Sequence, residues 1–470
     1  NQNDDLRMGN GDKRAHTAFK KHYGAMRVGL DLIENWRMDV KGDWHAGRDI
    51  EGPNALHYGE TKQLRKDIDR YGGDLRLSGL LGENNEPSLT FYTSREETEY
   101  HYEYVGTTPY KSSVSTTDWI GGQLQNTYHW GGHSFTLGAD YQLIEEESKS
   151  WKSDGTRKAS YLPDSERETL GLFGEAMSKF FDDRLITTLG GRYDTIELKT
   201  KQTPYKTDFT PGTEEFSTFN PSAGLKYFIT PQWQAHTTIG RAFVTPTAYQ
   251  MAGYWVSLWG DITRGNPDLG PEKSITLDMG LSFDKKDWGL FGDLTYFITD
   301  VEDKIGKVKT SATESTYENT QEAEIRGLEG EFSLDISKLA NWDPSLRLFA
   351  NFTKLFKAEE TLSTGKQDIY SVADIKVGYG LEYDDGHFFD GRVTARYRGH
   401  VKDLDWYTTG GFPEVEYPTF TVVDLVANFQ VAKDHRLSLK IDNLFDKHYY
   451  EKIEFPLPGR SFFATYTIEF

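Results

Sequence analysis

Two kinds of connection take turns along this chain, and that alternation constrains its fold more than any other feature. Tight links at Trp130 to His133, Phe181 to Arg184, Ile229 to Gln232, Asp284 to Asp287, Asp384 to His387 and Lys433 to His435 carry Gly, Asp, Asn or Pro in many cases. Between them lie long polar stretches with scattered aromatics, at 145–167, 199–217, 244–273, 303–317, 357–371, 399–418 and 447–459. The segments that they join have a period of two. Ile275, Leu277, Met279, Leu281 and Phe283 share one face while Ser274, Thr276, Asp278, Gly280, Ser282 and Asp284 share the other. Trp288 to Ile298 repeats the pattern, and so does Phe389 to Tyr397, whose alternates Asp390, Arg392, Thr394, Arg396 and Arg398 are strongly polar.

Short turns alternating with long loops over many antiparallel strands are the pattern of a transmembrane β-barrel, with turns at the periplasmic rim and loops outside. A soluble propeller would show a blade repeat of about 40–50 residues, and no such self-similarity is visible. A jelly roll would need a second apolar layer, whereas each strand here offers one apolar face for a bilayer to cover. About nineteen strands are visible. With one or more hidden in the poorly patterned first 70 residues, the expectation is an all-β barrel of about 22 strands over residues 1–470, wide enough to need a plug.

Composition removes other classes. Lys+Arg 53 against Asp+Glu 73 leaves a formal charge of −20, which argues against a nucleic-acid partner. The absence of cysteine excludes disulfides and thiolate metal sites, while 28 Phe, 27 Tyr and 11 Trp argue against disorder. No run of 18 apolar residues suggests a membrane helix, and no apolar segment follows Asn1, so a mature or trimmed chain is expected. GxSxG, a P-loop, a dinucleotide fingerprint and HExxH are all missing, so no enzyme activity is expected.

Several segments carry a family resemblance. Gly240 to Pro246 (GRAFVTP) is similar to the FRAP box, and Gly265 to Glu272 (GNPDLGPE) to the NPNL-PE box, of TonB-dependent outer-membrane receptors. Leu189 to Asp194, Tyr317 to Glu329, Ile441 to Tyr450 and Pro458 to Arg460 resemble barrel strands of that family in family order, and the aromatic ending Phe462, Ala464, Tyr466, Ile468, Phe470 resembles the terminal signature of outer-membrane proteins. The resemblance implies an outer-membrane location and active uptake of a scarce metal chelate, with a ferric siderophore expected. It also implies a plug domain, the TonB complex acting through that plug, and lipopolysaccharide around the barrel. No cofactor is expected.

The chain departs from the family pattern in two places. The plug and TonB box that precede the family's barrel are not in this sequence, so the plug is expected from elsewhere, or the barrel is a structural or assembly partner that has lost transport. Val244 and Thr245 replace Arg and Ala of the FRAP box. Residues 247–264 hold no histidine, which weakens haem as the ligand, although Tyr249 or Met251 could stand in as ligating residues.

Tyr249, Tyr254, Trp255, Trp259 and Arg264 in one external loop, with Trp406, Tyr407 and Phe412 in another, are the candidate ligand site, since aromatics and Arg suit planar anionic chelates. The alternative is that they pack loop against loop or form the interfacial girdle. By parity Arg192, Asp194, Asp390, Arg392, Arg396, Arg398, Lys440 and Asp442 face the lumen, as a solvated wall or as a dock for the plug. His129 and His236 read as ordinary lumen residues, and Glu145, Glu146 and Glu147 as solvated loop or a Ca²⁺ site.

Overall fold

A computed structural model describes residues 2–56, 62–104, 108–207, 209–256, 260–362, 365–405 and 413–469. One sheet of 24 strands dominates it. Five of these, Gln2–Asn3, Arg157–Lys158, Tyr254–Val256, Ile262–Arg264 and Gly365–Asp368, are pieces of two to four residues that sit on the loops. The remaining nineteen run from Phe19–Ile33 to Ser461–Ile468, each paired antiparallel with the next in the chain. The poorly patterned first 70 residues supply Phe19–Ile33, Trp36–Gly52 and the start of Lys62–Gly79.

The side-chain faces are inverted relative to a water-soluble protein. Ile275, Met279, Leu281, Leu172, Leu189, Ile239, Leu294 and Val393 are exposed on the outside of the wall, while Ser282 and Asp194 on the opposite face are buried. The apolar band faces outward, and hydrocarbon is the medium that would cover it. Among the described residues, the buried apolar side chains gather in three small clusters, each containing loop residues, around Met251, Val401 and Tyr449.

Several connections expected as loops are paired strand. Glu145, Glu146 and Glu147 belong to His133–Trp151, and the stretch expected as loop 303–317 shrinks to four residues between Leu290–Lys309 and Glu314–Asp335. The cause is physical: about 10 residues cross the hydrocarbon, and strands of 20 and 22 residues rise well beyond it. Above the bilayer both faces of a hairpin meet water, so the alternation stops while the ladder continues.

Both end strands run from the loop side to the turn side. Phe19–Ile33 pairs with Trp36–Gly52 on one edge and, at its outer tip, with Gln2 and Asn3 on the other. Ser461–Ile468 pairs with His435–Asp442. At the outer end the gap between them is spanned by residues 7–8, where Met8 bridges Pro458 and the Gly459 amide donates to the Arg7 carbonyl at 2.7 Å.

Candidate functional site

Two outer loops on one side of the mouth are tied to each other and to two long strands by side-chain amides and phenols. Thr247 caps the short helix Ala248–Ala252 through a reciprocal capping box with Gln250. That helix seats Met251 against Leu198 and Leu269. Directly after it, the Asn266 amide donates to the Tyr317 carbonyl at 2.8 Å. The Asn319 side chain accepts from Gly270 N (2.7 Å) and donates to the carbonyls of Gly270 (2.9 Å) and Asp303 (2.7 Å). Glu272 accepts from the Ile305 amide at 2.8 Å. The NPNL-PE-like box is therefore a clamp that fixes a long loop to two neighbouring strands. Gly265 is required in it, because a Cβ there would come within 2.6 Å of the Met251 and Ala252 backbone.

Tyr249 lies inside this assembly. Its ring stacks on Tyr161 at 4.9 Å and meets Tyr317 edge-on at 5.8 Å. Burial, with hydrogen bonds to both neighbours, pushes its hydroxyl well above the usual tyrosine range. It is packed between its neighbours; Tyr317 opens a segment that resembles the family, whereas Tyr161 carried no signal in the sequence. Tyr254 and Arg264 do come together, as directly opposed residues of the hairpin Tyr254–Val256 and Ile262–Arg264, with the guanidinium 5.1 Å above the Tyr254 ring. The Arg264 Nε donates to Glu314 at 3.1 Å. Trp255 is exposed on the same hairpin. Trp259, Trp406, Tyr407 and Phe412 lie outside the described residues. Next to the hairpin a cavity of ≈ 240 Å³ opens, with Leu198, Phe209, Met251 and Pro267 among its walls and Arg264 at its edge. Behind Tyr254 the Lys206 ammonium, 1% exposed, reaches the Ser160 carbonyl at 3.4 Å.

On the other side of the mouth, an apolar cluster of Ala373, Val401 and Tyr417, with Tyr450 and Ile453 packed against it, is flanked by ion pairs. Lys402 pairs with Asp368 (2.5 Å), Lys354 with Asp374 (2.8 Å) and His400 with Glu416. Buried Asp403 accepts from the hydroxyls of Ser371 (2.8 Å) and Tyr417 (2.7 Å) and from the Leu404 amide (2.8 Å).

Within the lumen the expected charges are paired across the wall. Arg192 bridges Asp140 (2.6 Å) and Asp194 (2.6 Å), two strands apart, with Gly171 between them. Any Cβ at Gly171 would collide with the guanidinium. Arg392 pairs with Glu382 (3.3 Å), Arg396 with Asp424 (3.6 Å), Lys440 with Asp442 (3.0 Å), and Asp390 accepts from Arg436 (2.8 Å) and Asn428 (2.6 Å). Arg398 differs, because it donates to the Glu451 carbonyl and so holds an outer loop. His236 faces Asp293 and Thr295, beside Asp278, Glu329 and Glu331.

A wall of this size, apolar outside and charged inside, with turns on one rim and loops on the other, defines an outer-membrane β-barrel. Residues 12–444 match the family model "TonB dependent receptor-like, beta-barrel", and the chain belongs to that family. It is 22% identical over 333 residues to the ferrienterobactin receptor of Escherichia coli K12, covering 66% of this chain and 41% of that protein. It is likewise 22% identical over 486 residues to the ferric enterobactin receptor of Pseudomonas aeruginosa, covering 93% and 58%. The chain thus spans about half the length of these relatives. The solved structure of the copper transporter OprC superposes with a TM-score of 0.78 at 18% identity, over 100% of this chain and 74% of that one. That likeness shows the fold.

Proposed function

We propose that this chain is the barrel of an active-transport receptor that takes up a metal chelate, with a ferric siderophore as its ligand. The observation that carries the reading is the Tyr254–Arg264 hairpin with exposed Trp255, held rigidly above a charged lumen by the loop clamp. A flat ring beside a guanidinium suits a planar, anionic ligand. The receptor and transporter names of the relatives support transport over catalysis. In this reading residues 1–470 form the barrel, and a plug docks on the wall around Arg192, Asp194, Asp390, Arg392 and Arg396. The TonB complex works through that plug, and lipopolysaccharide surrounds the outer half.

The test is uptake of radiolabelled iron by iron-starved cells that carry or lack the gene, with iron supplied as different siderophores, as haem or as citrate. Gene-dependent uptake from one siderophore is expected. Wild-type uptake from every source in the deletion strain would refute the transport reading and favour the scaffold one.

A further inference from the structure

The cavity next to the Tyr254–Arg264 hairpin has the shape and chemistry of a site for one ring. Its walls at Leu198, Phe209, Met251 and Pro267 are apolar, and its volume of ≈ 240 Å³ exceeds the roughly 150 Å³ in which an apolar protein cavity takes up benzene. The excess leaves room for substituents. The polar part of the lining is Arg264 with Thr200, Thr210 and Glu214; the Arg264 Nε donates to Glu314, and its two terminal amino groups have no hydrogen-bond partner among the described residues. The guanidinium is held between the Tyr254 ring and the Glu314 carboxylate, so part of its side-chain entropy is already lost before a ligand binds. The floor is equally fixed, since the helix that carries Met251 is capped at Thr247 and clamped through Asn266.

We propose that this cavity is a subsite for a flat aromatic ring bearing a hydroxyl or carboxyl group, directed edge-first at Arg264. The inference deepens the receptor reading and rests on it only for the rest of the ligand: the ring would be one arm of a larger chelate. Binding buries the ring faces against Leu198, Met251, Phe209 and Pro267, and the polar edge replaces water on the Arg264 amino groups.

Salicylate is the probe and cyclohexanecarboxylate the control, with the same charge and a puckered ring. Both are titrated into the detergent-solubilised whole chain and followed by ligand-observed NMR. The proposal expects cyclohexanecarboxylate to bind at least about tenfold more weakly than salicylate, and Arg264→Gln to weaken salicylate by about tenfold, as befits one charge-assisted hydrogen-bonding edge. Gly212→Trp is the second variant. Gly212 lines the cavity and an added Cβ there meets no atom within 4 Å, so the large side chain should fill the space without disturbing the fold and abolish binding. Equal affinities for the two acids, or salicylate affinity unchanged in both variants, would overturn the subsite. Uptake of a ferric chelate with no salicylate binding at about 10 mM would also overturn it and leave the receptor reading standing. Salicylate binding with the expected pattern, but no chelate uptake, would uphold the subsite and remove the chelate.

Discussion

The two sides of the mouth solve one problem with different chemistry. On one side, Asn266, Asn319, Thr247 and the Tyr161–Tyr249–Tyr317 stack bind loop to strand with neutral groups. On the other, Lys402–Asp368, Lys354–Asp374, His400–Glu416 and the buried Asp403 bind loop to loop with charge. Neutral hydrogen bonds hold their strength in salt and over a wide pH range, whereas exposed ion pairs are screened and titrate. The side held by amides and phenols is therefore the better frame for a site that must keep one geometry, and it is the side on which Tyr254 meets Arg264, whose own tie to Glu314 is an exposed ion pair.

The sharpest way to break this contrast is Asp403→Ala. It removes the buried carboxylate that accepts from the Ser371 and Tyr417 hydroxyls, and hydrogen bonds to a charged acceptor are worth about 1.5–3 kcal/mol each, so the ionic side should lose about 3 kcal/mol of local stability. Hydrogen exchange should then rise in 363–374 and 399–405 and stay unchanged in 245–256; a rise on both sides would mean one mechanical unit. Asn319→Ala is the counterpart. Three neutral bonds lost should cost the amide side roughly 2 kcal/mol, read as proteolysis within 260–271, and the double variant should be additive within about 0.5 kcal/mol if the sides are independent.

Salt should have a smaller effect. Raising it from about 0.1 M to about 1 M shortens the screening length from about 10 Å to about 3 Å and should loosen mainly the ionic side, by less than about 1 kcal/mol per exposed pair. The smallest effect is that of acid. Burial raises the Asp374 carboxyl, but the Lys354 ammonium at 2.8 Å outweighs it and holds the group below the usual carboxylate range. A lowered folded-state pKa gives stability that is present above the unfolded value of about 3.9 and is lost as pH falls through the folded one. The Lys354–Asp374 contact should thus survive at pH 5 and fail only below about pH 4; exchange at Asp374 that rises between pH 6 and 5 would contradict this.

The barrel was legible in the sequence because lipid imposes a period of two. Ser274 to Asp284 was read almost to its observed limits, Glu272–Lys285. Where lipid stops, legibility stops, and for that reason Glu145 to Glu147 and residues 303–309 were expected as loop. The boxes were visible as resemblance, yet the residues that hold them were not. Tyr161 and Tyr317 lie 88 and 68 positions from Tyr249, and no local pattern couples residues so far apart. Asn319, buried in YENTQ, looks like any polar strand residue until its three bonds are seen. Parity alone assigned the expected lumen charges to one face. Parity could not say that Arg192 is already satisfied by two carboxylates.

The wall has one more consequence. Its first and last strands, Phe19–Ile33 and Ser461–Ile468, descend in the same sense. Joined directly, they can share only a parallel ladder; an antiparallel seam takes an odd number of interposed strands. Among the described residues the two strands share no ladder, and any backbone N–H or C=O left unpaired in hydrocarbon costs several kcal/mol. The parity of the strand count, and not its size alone, therefore decides by which kind of ladder such a wall can close.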